Sequence, residues 1–212
     1  VLADPDLSAL AHLAQRIAVP PGKLFIEEGD SARYFFNINH GDVRVFKTLA
    51  DGRRQITGFM GVGHFLGVAS SGRYAFTAEA MNDVHLCRFE RAAIQRVFDV
   101  FPALERRLLD ITTHELVVAQ EQMLLLGRKS AQERVVSFLL AWSARQGEQT
   151  VMHLPMGRTD LADYLGLTIE TVSRSLSRLK RDGMLGFSDA HSVTLLKPHC
   201  LHRRATDAAR AV

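Results

Sequence analysis

Glu170, Thr171, Ser173, Arg174, Ser175, Arg178, Lys180 and Arg181 bring a carboxylate, hydroxyls and cations into one short stretch. These are the side-chain types that hydrogen-bond base edges and phosphates. Glu170 and Arg174 stand four apart and so share a helix face. An arginine fork suits guanine O6 and N7, and a glutamate can accept from cytosine N4. On an ordinary exposed helix the same pair would be a solvated ion pair, so the elements around it must decide.

Those elements spell a helix-turn-helix. From Thr159 to Leu165, Leu161, Tyr164 and Leu165 recur at helical spacing, and Gly166 can take the positive φ of a tight turn. Thr168 is an N-cap residue for a second helix, along which Val172, Leu176 and Leu179 form an inward stripe until Gly183 ends it. Ala162, Gly166 and Val172 take the small, turn and core places that two closely packed helices need.

The run LGLTIETVSRSLSRLKRDGML, Leu165 to Leu185, resembles the recognition element of the CRP/FNR superfamily of bacterial transcription regulators, and Glu170-x-x-Ser173-Arg174 matches the pattern of its FNR and FixK branch. QMLLLGRKSAQERVVSFLL, Gln122 to Leu140, and YAFTAEAM, Tyr74 to Met81, extend the likeness over nearly the whole chain. The resemblance implies a homodimeric regulator, mainly an activator, that binds double-stranded DNA and works with RNA polymerase. Its operator is expected to be a palindrome of TTGAT-like half-sites, read by Glu170, Ser173 and Arg174, with Ile169 on a thymine methyl. Thr168, Thr171, Ser175, Arg178 and Lys180 are the candidate phosphate contacts, and the loop Ser70-Ser71-Gly72 is a candidate polymerase contact.

Composition fits this expectation. The chain has 212 residues, 47% hydrophobic and 23% charged, ordinary for a globular protein of one or two domains. No apolar run nears the roughly 20 residues of a membrane span. The opening VLADPDL has neither an initiator Met nor the basic-then-apolar pattern of a secretion signal, and the expected compartment is the cytoplasm. Residues 128–212 carry 13 Lys and Arg against 8 Asp and Glu, a balance of +5, whereas residues 1–127 carry 13 against 15, or −2. The basic half holds the helix-turn-helix, which suits phosphate binding.

The expected fold is α+β: an antiparallel β-roll of the cyclic-nucleotide-binding kind over 1–101, a dimerisation helix over 102–127 and a winged helix-turn-helix over 128–212. A short amphipathic helix is predicted from Leu7 to Ile17, with Leu7, Leu10, Leu13 and Ile17 on one stripe. KLFIEEG, YFFNINHG, VRVFKTL, RQITGFM and VHLCRF then read as strands, with Asp51-Gly52 as a hairpin turn. Cyclic-AMP-binding relatives carry a Glu after their Gly-x-x-x-Gly turn and an Arg followed by Ser or Thr further on. Here Gly63-His64-Phe65-Leu66-Gly67 is followed by Val68, and Arg73 by Tyr74, so no cyclic-nucleotide binding and no cofactor are expected.

After Pro102 a helix is predicted to about Leu126 with two apolar stripes. One face suffices for a surface helix. The second, with Val117 and Leu124 on it and Gln120 near its seam, is expected to pair with another copy of the chain. A capping box at Ser130-Ala131-Gln132-Glu133 opens the last domain, and 143–150 reads as a polar loop. MLGF and SVTLL read as the wing, and the order of the tail from His199 is left open.

Catalysis is not expected. His40, His64 and His85 are the metal-ligand candidates of a cupin-like roll, but no His-x-His or Cys-x-x-Cys occurs. Cys87 falls where FNR proteins keep the internal ligand of an iron–sulfur cluster, yet no cysteine precedes it. Two readings stay open: a FixK-like regulator that works without a cluster, in which Cys87 is a small buried hydrophobe in a strand, or an FNR-like redox sensor whose other cysteines lie outside this chain. For the chain as a whole, the alternative from another class is a ligand-gated sensor of the same fold.

Overall fold

Alternation of apolar and polar residues carries the first part of the chain into strands. The computed structural model describes residues 11–69, 72–189 and 191–206. It divides into two units, residues 1–119 and 120–212. The first unit contains β1 (Gln15–Val19), β2 (Leu24–Ile26), β3 (Tyr34–His40), β4 (Val43–Thr48), β5 (Arg54–Met60), β6 (Phe65–Leu66), β7 (Thr77–Ala80) and β8 (Val84–Glu90). They form two four-stranded sheets, ordered β1-β8-β3-β6 and β2-β7-β4-β5, with every pairing antiparallel. Ile26, Ile38, Val43, Ala78, Ala80, Val84 and Leu86 belong to the buried core of this roll. Burying a side chain of the size of Ile or Leu stabilises by about 1.5–3 kcal/mol.

The expected helix from Leu7 to Ile17 is corrected in its second half: residues 11–13 are helical, but the helix stops before Gln15. Gln15–Val19 is a strand, with Ile17 opposite Leu86 and Val19 opposite Val84 on β8. The long-range ladder wins because it satisfies the backbone and seats Val19 in the core. Leu13 packs at a smaller cluster of Phe35, Phe89 and Ile94, while Leu7 and Leu10 lie outside the described residues.

Two helices follow: α1 (Arg91–Val100) and α2 (Pro102–Arg128). Along the 27 residues of α2, Leu104 is buried, while Leu109 (65%), Leu116 (57%), Val117 (47%), Met123 (64%) and Leu124 (59%) are exposed within the single chain.

The second unit holds α3 (Ala131–Arg145), β9 (Val151–His153), α4 (Arg158–Leu165), α5 (Ile169–Arg181), β10 (Leu185–Phe187), β11 (Ser192–Leu195) and α6 (Pro198–Thr206). Its three-stranded sheet runs β10-β11-β9. Ser130 N–H donates to Glu133 Oε2 at 2.7 Å, closing the capping box that starts α3. This helix continues to Arg145, so 143–150 is not all loop. Ser143 is buried and its hydroxyl donates to Gln149 O at 2.8 Å, and Arg145 lies over the Trp142 ring at 4.6 Å. The tail, open in sequence, forms α6 over its described residues, as far as Thr206; Leu201 of this helix is fully buried, and the helix packs on α3.

Candidate nucleic-acid interface

Gly166 closes α4 with φ 60° and ψ 44°, a left-handed conformation that costs a residue with a Cβ. Added there, a Cβ would meet Leu126 Cδ2 at 3.3 Å and Arg134 Nη1 at 3.5 Å. Thr168 then starts α5, its hydroxyl accepting from Thr171 N–H at 3.3 Å. Leu161, Ala162 and Leu165 of α4 are buried, as are Val172, Leu176 and Leu179 of α5. At the far end the helix closes with a Schellman motif: Met184 N–H donates to Leu179 O and Gly183 N–H to Lys180 O, both at 3.0 Å. The cap residue is Asp182, and Gly183 lies one position beyond it at φ 66°.

A side chain missed in sequence locks this frame. Arg134 donates from Nε to Lys129 O (2.9 Å), from Nη2 to Leu126 O (2.7 Å) and from Nη1 to Leu165 O (3.0 Å). It thereby satisfies carbonyls at the end of α4 and around the α2–α3 junction, where helix ends leave acceptors without intrahelical partners. Gln122 adds a bond from Nε2 to Tyr164 O at 2.9 Å.

Opposite the buried stripe, Ile169, Glu170, Arg174, Arg178 and Lys180 are exposed, and Thr171 and Ser173 are partly so. Ser175 corrects the expectation of an outward hydroxyl. It is 9% exposed, because a position three after Val172 and four before Leu179 falls on the inward stripe. Glu170 is not idle in the free protein: hydrogen bonds from its own backbone N–H and from the Thr168 hydroxyl hold its carboxyl below the ordinary carboxylate range, with Arg174 adding attraction. Lys180 Nζ sits 5.9 Å from the centre of the Phe187 ring on β10. Arg158, the first residue of α4, donates from Nη1 to Ser173 Oγ at 3.2 Å.

In the first unit, Arg73 and Tyr74, two of the positions compared with those of cyclic-nucleotide binders, are bonded within the chain. Arg73 Nη1 donates to Gly29 O at 2.6 Å. Tyr74 is buried; its hydroxyl donates to Tyr34 O at 2.9 Å and accepts from Tyr34 N–H at 3.2 Å, and burial pushes its phenol pKa up. Val68 is 43% exposed. Of the histidine candidates, His40 and His85 come together with ring centres 5.6 Å apart, while His64 Nδ1 lies 3.0 Å from Gly61 O. Among the described residues no three His, Cys, Asp or Glu gather into a metal-binding group. Cys87 is partly rather than fully buried, with Asn39 Nδ2 at 3.5 Å from its sulfur. Ser70 and Ser71 of the candidate polymerase loop lie outside the described residues.

Residues 133–204 match the Crp-like helix-turn-helix domain, and residues 16–100 match the cyclic nucleotide-binding domain. The chain is 42% identical over 197 residues to the nitrogen fixation regulation protein FixK of Bradyrhizobium diazoefficiens, covering 91% of this chain and 83% of that one. It belongs to the CRP/FNR family, FixK/FNR type. To the transcriptional activatory protein AadR of Rhodopseudomonas palustris, this CRP/FNR protein is 42% identical over 188 residues, 87% of its own length and 79% of the relative's. The solved structure of FixK2 from Bradyrhizobium japonicum superimposes with a TM-score of 0.85 at 39% identity, over 90% of this chain and 96% of that one. The helix-turn-helix described above is therefore the DNA-binding element of a transcription regulator, and the roll is the family's cyclic-nucleotide-binding-like domain. No described helix is long and apolar enough to cross a membrane.

Proposed function

We propose that the chain works as a homodimeric transcription activator in the cytoplasm, binding a palindrome of TTGAT-like half-sites and contacting RNA polymerase. Residues 1–101 would be its sensor-like domain, 102–127 its dimerisation helix and 128–212 its DNA-binding domain. The observation that carries the reading is α5 itself: a helix sealed on one side by Val172, Leu176 and Leu179, and presenting Ile169, Glu170 and Arg174 to solvent on the other. Names of relatives such as the activatory protein AadR support the direction of regulation. Arg174 reads the half-site guanine, Glu170 and Ser173 read neighbouring bases, and Ile169 packs on a thymine methyl. Thr168, Thr171, Arg178 and Lys180 hold phosphates; Ser175 leaves that set because it is buried. Cyclic AMP has no part in this reading, since Tyr74 is packed into the roll core and bonded to Tyr34. Titration calorimetry with millimolar cyclic AMP should show no saturable heat, and a saturable heat together with tighter operator binding would remove that clause.

The main test is operator binding at two salt concentrations on the palindrome and its single-base variants. A bidentate arginine–guanine contact discriminates by ~1–3 kcal/mol. Arg174→Ala should therefore weaken binding and flatten the preference at the guanine, while Arg178→Ala should weaken all sequences alike and reduce the salt slope by roughly one unit. Full guanine selectivity in Arg174→Ala would show the reading face to be misassigned.

A further inference from the structure

Arg158 sits in an awkward place for a cation. It is the first residue of α4 after the N-cap Gly157, where the partial positive charge of a helix N-terminus disfavours a guanidinium. It is exposed, so no packing requirement fixes its type. What it does is reach across to α5 and donate from Nη1 to Ser173 Oγ at 3.2 Å. A guanidinium has donors and no acceptor, so the serine oxygen must be the acceptor of this bond. The single hydroxyl proton of Ser173 is left to point elsewhere, and polarisation by a cationic donor strengthens it as a donor in turn.

We propose that Arg158 is a positioning residue for base recognition: it fixes Ser173 as a hydrogen-bond donor and so makes Ser173 select a base that presents a keto oxygen, thymine O4 or guanine O6, over one that presents an amino group, cytosine N4 or adenine N6. The inference rests on the reading of α5 as the base-contacting helix. In the major groove keto and amino edges are acceptor and donor respectively. A free serine hydroxyl rotates and serves either; a serine already accepting from Arg158 is biased towards the acceptor edge. Arg158 thus sets a sequence preference without contacting a base.

The experiment uses the full chain and the TTGAT-type palindrome, with each half-site base pair exchanged in turn between keto and amino at the strand position facing the helix. The wild-type protein should show one position, distinct from the guanine read by Arg174, where the exchange costs roughly three- to tenfold in Kd, the worth of one hydrogen bond. Ser173→Ala and Arg158→Ala should each flatten that same position, and the double variant should be no flatter than either single one. Arg158→Lys, which keeps a donor-only cation, should restore part of the preference. A uniform loss on every sequence in Arg158→Ala, with a salt slope smaller by about one and the keto preference intact, would assign Arg158 to a phosphate and overturn the proposal. If Ser173→Ala leaves every preference unchanged while Arg174→Ala still abolishes that at guanine, the reading of α5 survives and the role of Arg158 falls; if neither changes any preference, the reading of α5 falls first.

Discussion

One carboxylate, that of Glu170, stands exposed in the first turn of α5. In the free protein it accepts hydrogen bonds from its own backbone N–H and the Thr168 hydroxyl, and its pKa is lowered from 4.5. A lowered folded-state pKa means that the ionised form stabilises the fold. That contribution is complete above the ordinary carboxylate pKa and disappears as the pH falls through the depressed value. Glu170→Gln should therefore be less stable than the parent at neutral pH, and the gap should close in acid. Urea denaturation across a pH series reads this; a gap that persists unchanged below the depressed pKa would assign the loss to something other than the carboxylate charge. Arg134 shows the same economy at a different place, one guanidinium serving carbonyls from Leu126, Lys129 and Leu165.

Among the elements, α6 is where local signals said least and packing says most. Its sequence, PHCLHRRAT, is poor in apolar residues, yet Leu201 is fully buried and Arg204 Nη2 bridges Asp182 Oδ2 at the end of α5, 3.0 Å away. The helix thus braces the recognition helix from its C-terminal side. A buried Leu→Ala change costs about 2–5 kcal/mol through lost transfer energy and the cavity left behind. Leu201→Ala should lower the denaturation midpoint accordingly, followed by the fluorescence of the single tryptophan, Trp142, which lies in the same unit. The exposed ion pair Arg204–Asp182 should matter much less, since half-exposed pairs contribute about 0–1 kcal/mol. Equal losses in Leu201→Ala and Arg204→Ala would contradict that ranking.

For the molecule as a whole, α2 leaves an apolar face uncovered in the single chain. Leu109, Leu116, Val117, Met123 and Leu124 are each between 47% and 65% exposed in the single chain, a concentration of apolar surface that marks an interaction site. A second copy is the occupant we propose for it, since that would also supply the two-fold symmetry a palindromic operator requires. Placing charge in that seam would cost several kcal/mol unless it were paired. Val117→Glu combined with Leu124→Glu should sediment as a monomer at micromolar concentration and lose tight operator binding; a double variant that stays dimeric would move the interface off α2.

The helix-turn-helix was legible from residues alone because each of its signals is short-range. The apolar spacing of Leu161 and Leu165, the left-handed turn at Gly166 and the cap at Thr168 act within a few residues of one another. The same holds for the capping box at Ser130 and Glu133, and for the alternation along β3 and β4. Tertiary structure decided what depended on partners distant in the chain. β1 is a strand because β8 offers it a ladder some 70 residues away. The hydroxyl of Ser175 turns inward while that of Ser173 stays within reach of Arg158, a difference set by which face of α5 the core takes. Arg134, Ser143 and Leu201 looked unremarkable in the sequence because their worth lies in carbonyls and cavities that exist only once separate segments have met. Short-range periodicity and capping are written into consecutive residues; the pairing of remote backbone groups and the burial of particular side chains arise only when the chain closes on itself.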